Sequence, residues 1–329
     1  MEADVQRFLA AGGADSTMKA YKAGWTRYQK FARQLNIPFQ PITVENVTLF
    51  IAHLGAQRLS TTTIEVYLAG LRFFRLLADP SCAVPSFHTP YTNLLIRGIK
   101  RVNTGKGTPR VRLPITTAML LRIKDALASD PHCFENRLLW AACCTGFFGF
   151  LRCSEFMTPD AGPVDPQVHL CLSDITYVHD TEHNHIEIVI KASKADQFRQ
   201  GTKVVLGFTG AQLCPVSALL DYLTVRGNKP GALFIKQDGL PLRRKQFVHG
   251  VQQALQKSGA IGQHFNGHSF RIGAATSASQ AGVPETIIKI LGRWSSMTYQ
   301  RYIRPSTTEL AAITMVIAGT QSQLLTPKQ

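Results

Sequence analysis

The sequence predicts a mainly α-helical protein of two domains, the second carrying a small antiparallel β-sheet. Three observations carry that expectation. Apolar residues recur at steps of three and four through residues 1–102; a stretch rich in Gly, Pro and bases, NTGKGTPRVRLP, interrupts them at 103–114; and three short β-branched runs cluster between 174 and 208. Repeats of 3.6 and of 2 distinguish helices from strands. With 329 residues, 45% of them hydrophobic, the chain has enough apolar matter for two packed cores.

Residues 1–102 read as an all-helical domain. From Ser16 to Leu35, Met18, Tyr21, Trp25, Tyr28, Phe31 and Leu35 mark one buried face, while Lys19, Lys22, Thr26, Lys30 and Arg33 gather on another. Such a cationic stripe suits a phosphate backbone as well as it suits plain solvation. Further helices are expected over Thr43–Ala56, Thr61–Leu77 and Tyr91–Val102, with Pro38, Pro41, Pro80, Pro85 and Pro90 punctuating the connections. Residues 103–114 form the linker; Lys106, Arg110 and Arg112 suggest that it too lies against an anionic partner.

Residues 115–329 read as the second domain. Helical patterns cover Thr116–Ala128 and Phe134–Glu155, and strands are expected over Asp174–Val178, His185–Ala192 and Thr202–Phe208. A turn-like segment, Ser193–Arg199, separates the last two strands. Helices return over Cys214–Arg226, Gln246–Ser258, Ser269–Ala281 and Pro284–Leu291, and a last short one over 306–318 shows an apolar surface of Leu310, Ile313, Met315, Val316 and Ile317.

The charge narrows the choice of partner. A net charge of +15 with only 21 acidic residues attracts a polyanion, nucleic acid before anionic membrane. No run of about 18 apolar residues is present, so no membrane span and no membrane partner are expected. The opening MEADVQRFLAAGG does not have the composition of a secretion signal. Seven cysteines, without a CxxC pair and mostly inside apolar runs such as WAACCTGFFGF, read as reduced core residues of an intracellular protein. His179, His183 and His185, with Asp180 and Glu182, resemble a ligand cluster but precede a strand as an exposed loop, and no metal or other cofactor is expected.

The chemistry-bearing residues follow in order. GFFGFLRCSEFM places Arg152 in apolar surroundings with Glu155 one turn on. A shielded arginine must be paired or serve a ligand, and Glu155 could hold it in place. In GHSFRIGAAT, His268 and Arg271 stand three apart at a helix start, a fork for phosphate oxygens beside a proton-shuttling imidazole. LGRWSSMTYQRYIRPS then supplies Trp294, Tyr299 and Tyr302 in a polar setting.

This succession of Arg, Lys, HxxR, Trp and Tyr resembles the tyrosine recombinase, or phage integrase, family, and the wording SKADQFRQG, GHSFRIGAAT and LGRWSS…RYIR resembles its eukaryotic mobile-element branches, the Crypton and DIRS/Ngaro types. The resemblance spans nearly the whole chain and implies a two-domain, C-shaped clamp around double-stranded DNA. It further implies a dimer on each site, a tetramer in synapsis, and a nuclear enzyme that cuts and rejoins strands through a 3′-phosphotyrosine without metal or ATP. Matched position by position, Arg152, Lys194, His268, Arg271, Trp294 and Tyr302 take the catalytic places, with Glu155 in support. Two departures matter. Trp294 stands one residue nearer the tyrosine than the family spacing, so that Arg293 could share its role, and Tyr299 competes with Tyr302 as nucleophile. Lys191 is the alternative to Lys194 as general acid. The apolar surface of helix 306–318 suits packing in cis on the second domain as well as docking in a neighbouring protomer, which the resemblance implies. Two rival functions remain: a type IB topoisomerase, which would not join two DNA molecules, and a domesticated DNA-binding protein, which has no need of a nucleophile.

Overall fold

The computed structural model describes residues 1–78, 87–104, 113–179, 184–193, 196, 199–260, 265–294 and 296–303. The chain divides into two compact units, Met1–Pro109 and Arg110–Gln329. Among the sequence expectations, residues 105–112 of the linker with Lys106, Arg110 and Arg112, the turn residue Lys194, His183 with its acidic neighbours, and helix 306–318 lie outside the described residues.

The first unit is helical: α1 (Glu2–Ala11), α2 (Asp15–Gln34), α3 (Val44–Ala56), α4 (Thr61–Ala78) and α5 (Pro90–Asn103). Its core joins Tyr28 and Phe31 of α2 to Phe50, Ile51 and Leu54 of α3, Ile64, Leu68 and Leu71 of α4, and Ile96 of α5. Starts are fixed locally. The Thr43 hydroxyl accepts the Asn46 N–H to begin α3, and Thr89 and Thr92 cap each other's backbone around Pro90 to begin α5. Helix α1 has no counterpart in the sequence reading. Its Val5, Phe8 and Leu9 are 54%, 65% and 41% exposed, so it buries no apolar face that a periodicity could reveal.

The second unit surrounds one buried helix. Helix α6 (Thr117–Leu127) precedes α7 (Phe134–Phe148), which packs against α6, α9 (Pro215–Arg226), α10 (Arg244–Lys257) and α11 (Ser269–Gln280). A three-stranded antiparallel sheet runs in the order β1 (Ile175–Val178), β2 (His185–Ile190), β3 (Thr202–Gly207). Ile188 sits opposite Ile175 and Val204, so that Ile186, Ile188, Ile190, Val204 and Leu206 all point into the core. Burial alternates along β2 and β3 and sets which face lies in the core. Helix α12 (Glu285–Leu291) and a 3-10 turn, Met297–Arg301, close the described chain. No helix among the described residues is long and apolar enough to cross a membrane.

One expected element is corrected. Residues Phe134–Glu155 are not a single helix: α7 stops at Phe148, and a separate turn of helix, α8 (Cys153–Phe156), follows. Phe150 between them adopts φ 50, and the Phe150 and Leu151 N–H groups bond back to Phe147 and Gly146. The uninterrupted apolar run hid the break, since every residue there is wanted in the core whatever its backbone does. Arg152 is therefore the N-cap of α8 rather than a mid-helix residue.

Helix α11 is held hard against the start of the unit. A Cβ on Gly273 would lie 1.7 Å from the Ile115 carbonyl oxygen, and the Ile115 N–H donates to Ser269 O at 2.9 Å. Only glycine permits that approach. Gly273→Ala should cost about 3 kcal/mol or more and lower Tm by roughly 6–12 °C; an unchanged melting curve would mean that residues 113–115 do not sit on this helix.

Candidate active site

The site forms where the Gly149–Arg152 turn, the first turn of α11 and the Gly292–Trp294 turn meet. Asn266 starts α11 by accepting the His268 N–H on its side chain (2.9 Å) and the Ser269 N–H on its carbonyl (2.8 Å). His268 is the N-cap, half-buried, and Arg271 enters the interior one turn later with no exposed surface.

Arg271 is held from three sides. Its Nη1 donates to Phe150 O at 2.6 Å and its Nη2 to Gly292 O. The Trp294 ring lies over the guanidinium, 4.3 Å from centroid to Cζ. Its Nε finds no acceptor among the described residues. Burial first, then the neighbouring Arg152 and Arg293, push its pKa down to about 9; Glu155 and Tyr302 act the other way. An anion placed there would reverse the depression.

Among the described residues Glu155 is the one carboxylate holding this cluster, and its side chain is 1% exposed. Oε1 accepts from Arg152 Nη1 at 2.7 Å, and Oε2 accepts from the Arg152 N–H and from Arg293 Nη2, both at 2.9 Å. Arg152 keeps some contact with solvent, with 17% of its side chain exposed. Three guanidinium groups thus share a single acid, leaving positive charge in excess. Two residues that shape this cage, Phe150 (φ 50) and Arg293 (φ 53), have left-handed backbones, each costing about 1–2 kcal/mol that the packed surroundings must hold in place.

Trp294 organises the aromatic side. It is buried, its ring centroid lying 5.3 Å from that of Tyr302, 6.2 Å from Tyr299 and 6.4 Å from Phe150. Its indole N–H has no acceptor among the described residues. A Cβ on Gly292 would fall 1.7 Å from the indole, so glycine is needed for the ring to fold back over Arg271. The two tyrosines differ. Tyr299 is 2% exposed and its hydroxyl donates to Glu285 of α12, which raises its pKa. Tyr302 is half-buried on the same core, anchored by its backbone through Thr276 Oγ1 (2.9 Å).

The structure thus brings Arg152, Glu155, Arg271, Trp294 and Tyr302 into one cluster, with His268 at the head of the helix that carries Arg271. Arg293, offered by the sequence only as a sharer of the Trp294 role, joins them, and the structure adds the Phe150 and Gly292 carbonyls and Glu285. The alternative lysine, Lys191, is paired with Asp174 at 2.6 Å. Among the described residues no group of three or more His, Cys, Asp or Glu side chains is placed to hold a metal ion.

In the first unit, Lys19, Lys22, Thr26 and Lys30 line a groove of about 630 Å³ beside α3 and α4. Arg27 and His53 join them, which the sequence reading did not anticipate; Arg33 is exposed near the end of α2, outside that lining.

Comparison with known proteins supplies the context. The model of the phage integrase family matches residues 173–309, and that of the phage integrase N-terminal SAM-like domain matches 6–79. An "Integrase/recombinase xerD homolog" of Selenomonas ruminantium is 25% identical over 313 residues, covering 91% of this chain and 84% of the relative. Among solved structures, XerH site-specific recombinase bound to palindromic difH substrate is 15% identical with a TM-score of 0.63, over 91% of this chain and 79% of that one. A lambda integrase dimer bound to a COC′ core site is 14% identical with a TM-score of 0.56, over 94% and 97%. These structural likenesses show a shared fold.

Proposed function

Since the chain belongs to the phage integrase family, the tyrosine recombinases, we propose that it is a site-specific DNA recombinase that cuts and rejoins strands through a covalent 3′-phosphotyrosine. The observation that carries the reading is the buried cluster of Arg152, Arg271 and Arg293 around a single carboxylate, beside Tyr302. Attack on a phosphodiester builds a second negative charge on the phosphorane, and fixed cations in a shielded site stabilise it without reorganising.

In this mechanism Tyr302 Oη attacks phosphorus in line, forming the Tyr–phosphate ester as the bond to the 5′-oxygen breaks. His268 takes the phenolic proton, and Lys194 gives one to the departing 5′-oxygen. Arg152 and Arg271 hold the nonbridging oxygens, with the unpartnered Trp294 N–H as a further donor. A guanidinium has five N–H donors; carbonyls take one on each terminal nitrogen of Arg271, leaving the others for phosphate. Because Arg271 has no exposed surface, the groups over its N–H edge must shift to admit the ligand, while the Trp294 indole stays on its face. The ester conserves bond energy, so rejoining needs no ATP, and no step calls on a metal.

Double-stranded DNA is the partner, and the lambda integrase dimer bound to a core site supports reading this chain as a dimer on each site; a tetramer in synapsis is what the family resemblance implies. The enzyme works where the cell keeps its DNA, in the nucleus of a eukaryote or the nucleoid of a prokaryote. A nicked suicide duplex carrying the termini of the encoding element, incubated with the chain in EDTA, should yield an SDS-resistant protein–DNA adduct. No adduct under any assembly condition sinks the reading in favour of a DNA-binding protein.

The cationic groove of the first unit is assigned to the phosphate backbone. Lys19→Ala with Lys30→Ala should weaken binding and flatten the slope of log K against log salt by about one per lost contact. An unchanged slope would remove α2 from the DNA interface.

A further inference from the structure

The recombinase reading gives Glu155 a place beside Arg152 and counts Arg293 only as one more cation of the cluster. Its bonds assign it a role of its own. Arg293 Nη1 donates to Gly149 O at 3.2 Å and to Leu291 O at 3.3 Å, and Nη2 donates to Phe150 O at 3.3 Å and to Glu155 Oε2 at 2.9 Å. Each terminal nitrogen of a guanidinium carries two hydrogens, so both are fully used on protein acceptors. No fork remains for a phosphate. Arg271 differs, since each of its terminal nitrogens makes one such bond.

The acceptors belong to two turns that each contain a left-handed residue, Phe150 (φ 50) and Arg293 itself (φ 53). One turn delivers Arg152; the other leads directly into Trp294 and on to Tyr302. Glu155 completes the tie, holding Arg152 on Oε1 and Arg293 on Oε2. With 14% of its side chain exposed, Arg293 has little solvent to turn to should those partners be lost.

We infer that Arg293 is a positioning residue for strand cleavage: through Glu155 and the Gly149 and Phe150 carbonyls it pins the turn carrying Trp294, and with it the nucleophile segment, to the turn carrying Arg152. The inference rests on the recombinase reading. It places the cationic side of the site and the aromatic side under one shared constraint, so that in-line attack depends on a residue that never touches DNA. Misplacing reacting groups by about an ångström costs on the order of 100-fold in rate.

The test uses the full chain and a nicked suicide duplex with either a natural phosphodiester or an uncharged methylphosphonate at the scissile position. DNA affinity, single-turnover adduct rate and melting temperature are measured. Arg293→Ala is expected to bind DNA as the native chain does while forming adduct about 100-fold more slowly, by the same factor on both linkages. Glu155→Gln should slow Arg293→Ala by a smaller factor than it slows the native chain, because the two share the Oε2 contact while Glu155 also holds Arg152 by itself, and Arg293→Lys should recover part of the rate. A defect that vanishes on the methylphosphonate would show Arg293 meeting phosphate charge directly and overturn the inference. So would native rates from Arg293→Ala, or a rate loss matched by equal losses of affinity and thermal stability. Absence of adduct from the native chain overturns the recombinase reading itself, and is distinguished by that control.

Discussion

Tyr302→Phe should bind its DNA site as the native chain does and form no SDS-resistant adduct, the loss of rate being on the order of 10⁶-fold as for enzymes deprived of a covalent nucleophile. A phenyl ring keeps the stacking on Trp294, 5.3 Å between centroids, so the segment stays in place while the attacking oxygen is gone. Tyr299→Phe should retain the adduct. Its ring, 6.2 Å from Trp294, is a core element with 2% exposure, and its hydroxyl is committed to Glu285. That bond raises its pKa, because a phenolate facing a carboxylate is repelled, and so makes it the poorer nucleophile. Mass spectrometry of the DNA-linked peptide identifies the residue. An adduct that survives Tyr302→Phe and disappears in Tyr299→Phe reverses the assignment.

Arg271→Ala should slow adduct formation by about 10³-fold, the upper range for losing one preorganised transition-state donor, with affinity close to native. Affinity is expected to survive because most binding energy comes from backbone contacts spread over the protein. Arg271→Lys should recover little: an ammonium cannot bridge the Phe150 and Gly292 carbonyls and still face a phosphate with a planar fork. Both variants leave those two buried carbonyls poorly satisfied, so a fall in Tm accompanies them, and rates are to be compared well below it. Cleavage within tenfold of native would remove Arg271 from the reaction.

Most helices and all three strands could be read from the sequence because each buries one face. Ile186, Ile188 and Ile190 alternate cleanly, and Tyr28 and Phe31 of α2 mark its inner stripe. Reading failed where that contrast is missing. Helix α1 exposes its apolar residues, and the break at Phe150 sits in a run where both neighbours are buried anyway. At the candidate site, the motif residues announced themselves by type and order. What joins them did not. Arg293 meets Glu155 across 138 residues of chain, and the carbonyls of Phe150 and Gly292, which hold Arg271, belong to a backbone that every residue shares. The pairing of Lys191 with Asp174 was likewise invisible until the strand β1 and the end of β2 were set side by side.

The complete burial of Arg271 separates two things that a charged protein usually mixes. Dissolved ions weaken attraction between groups that face water beyond a Debye length of about 8 Å at physiological strength, which describes Lys19 and Lys30 in their groove. They have no access to a guanidinium roofed by an indole. Brine should therefore decide how often a duplex is captured while leaving untouched the speed with which a captured strand is broken.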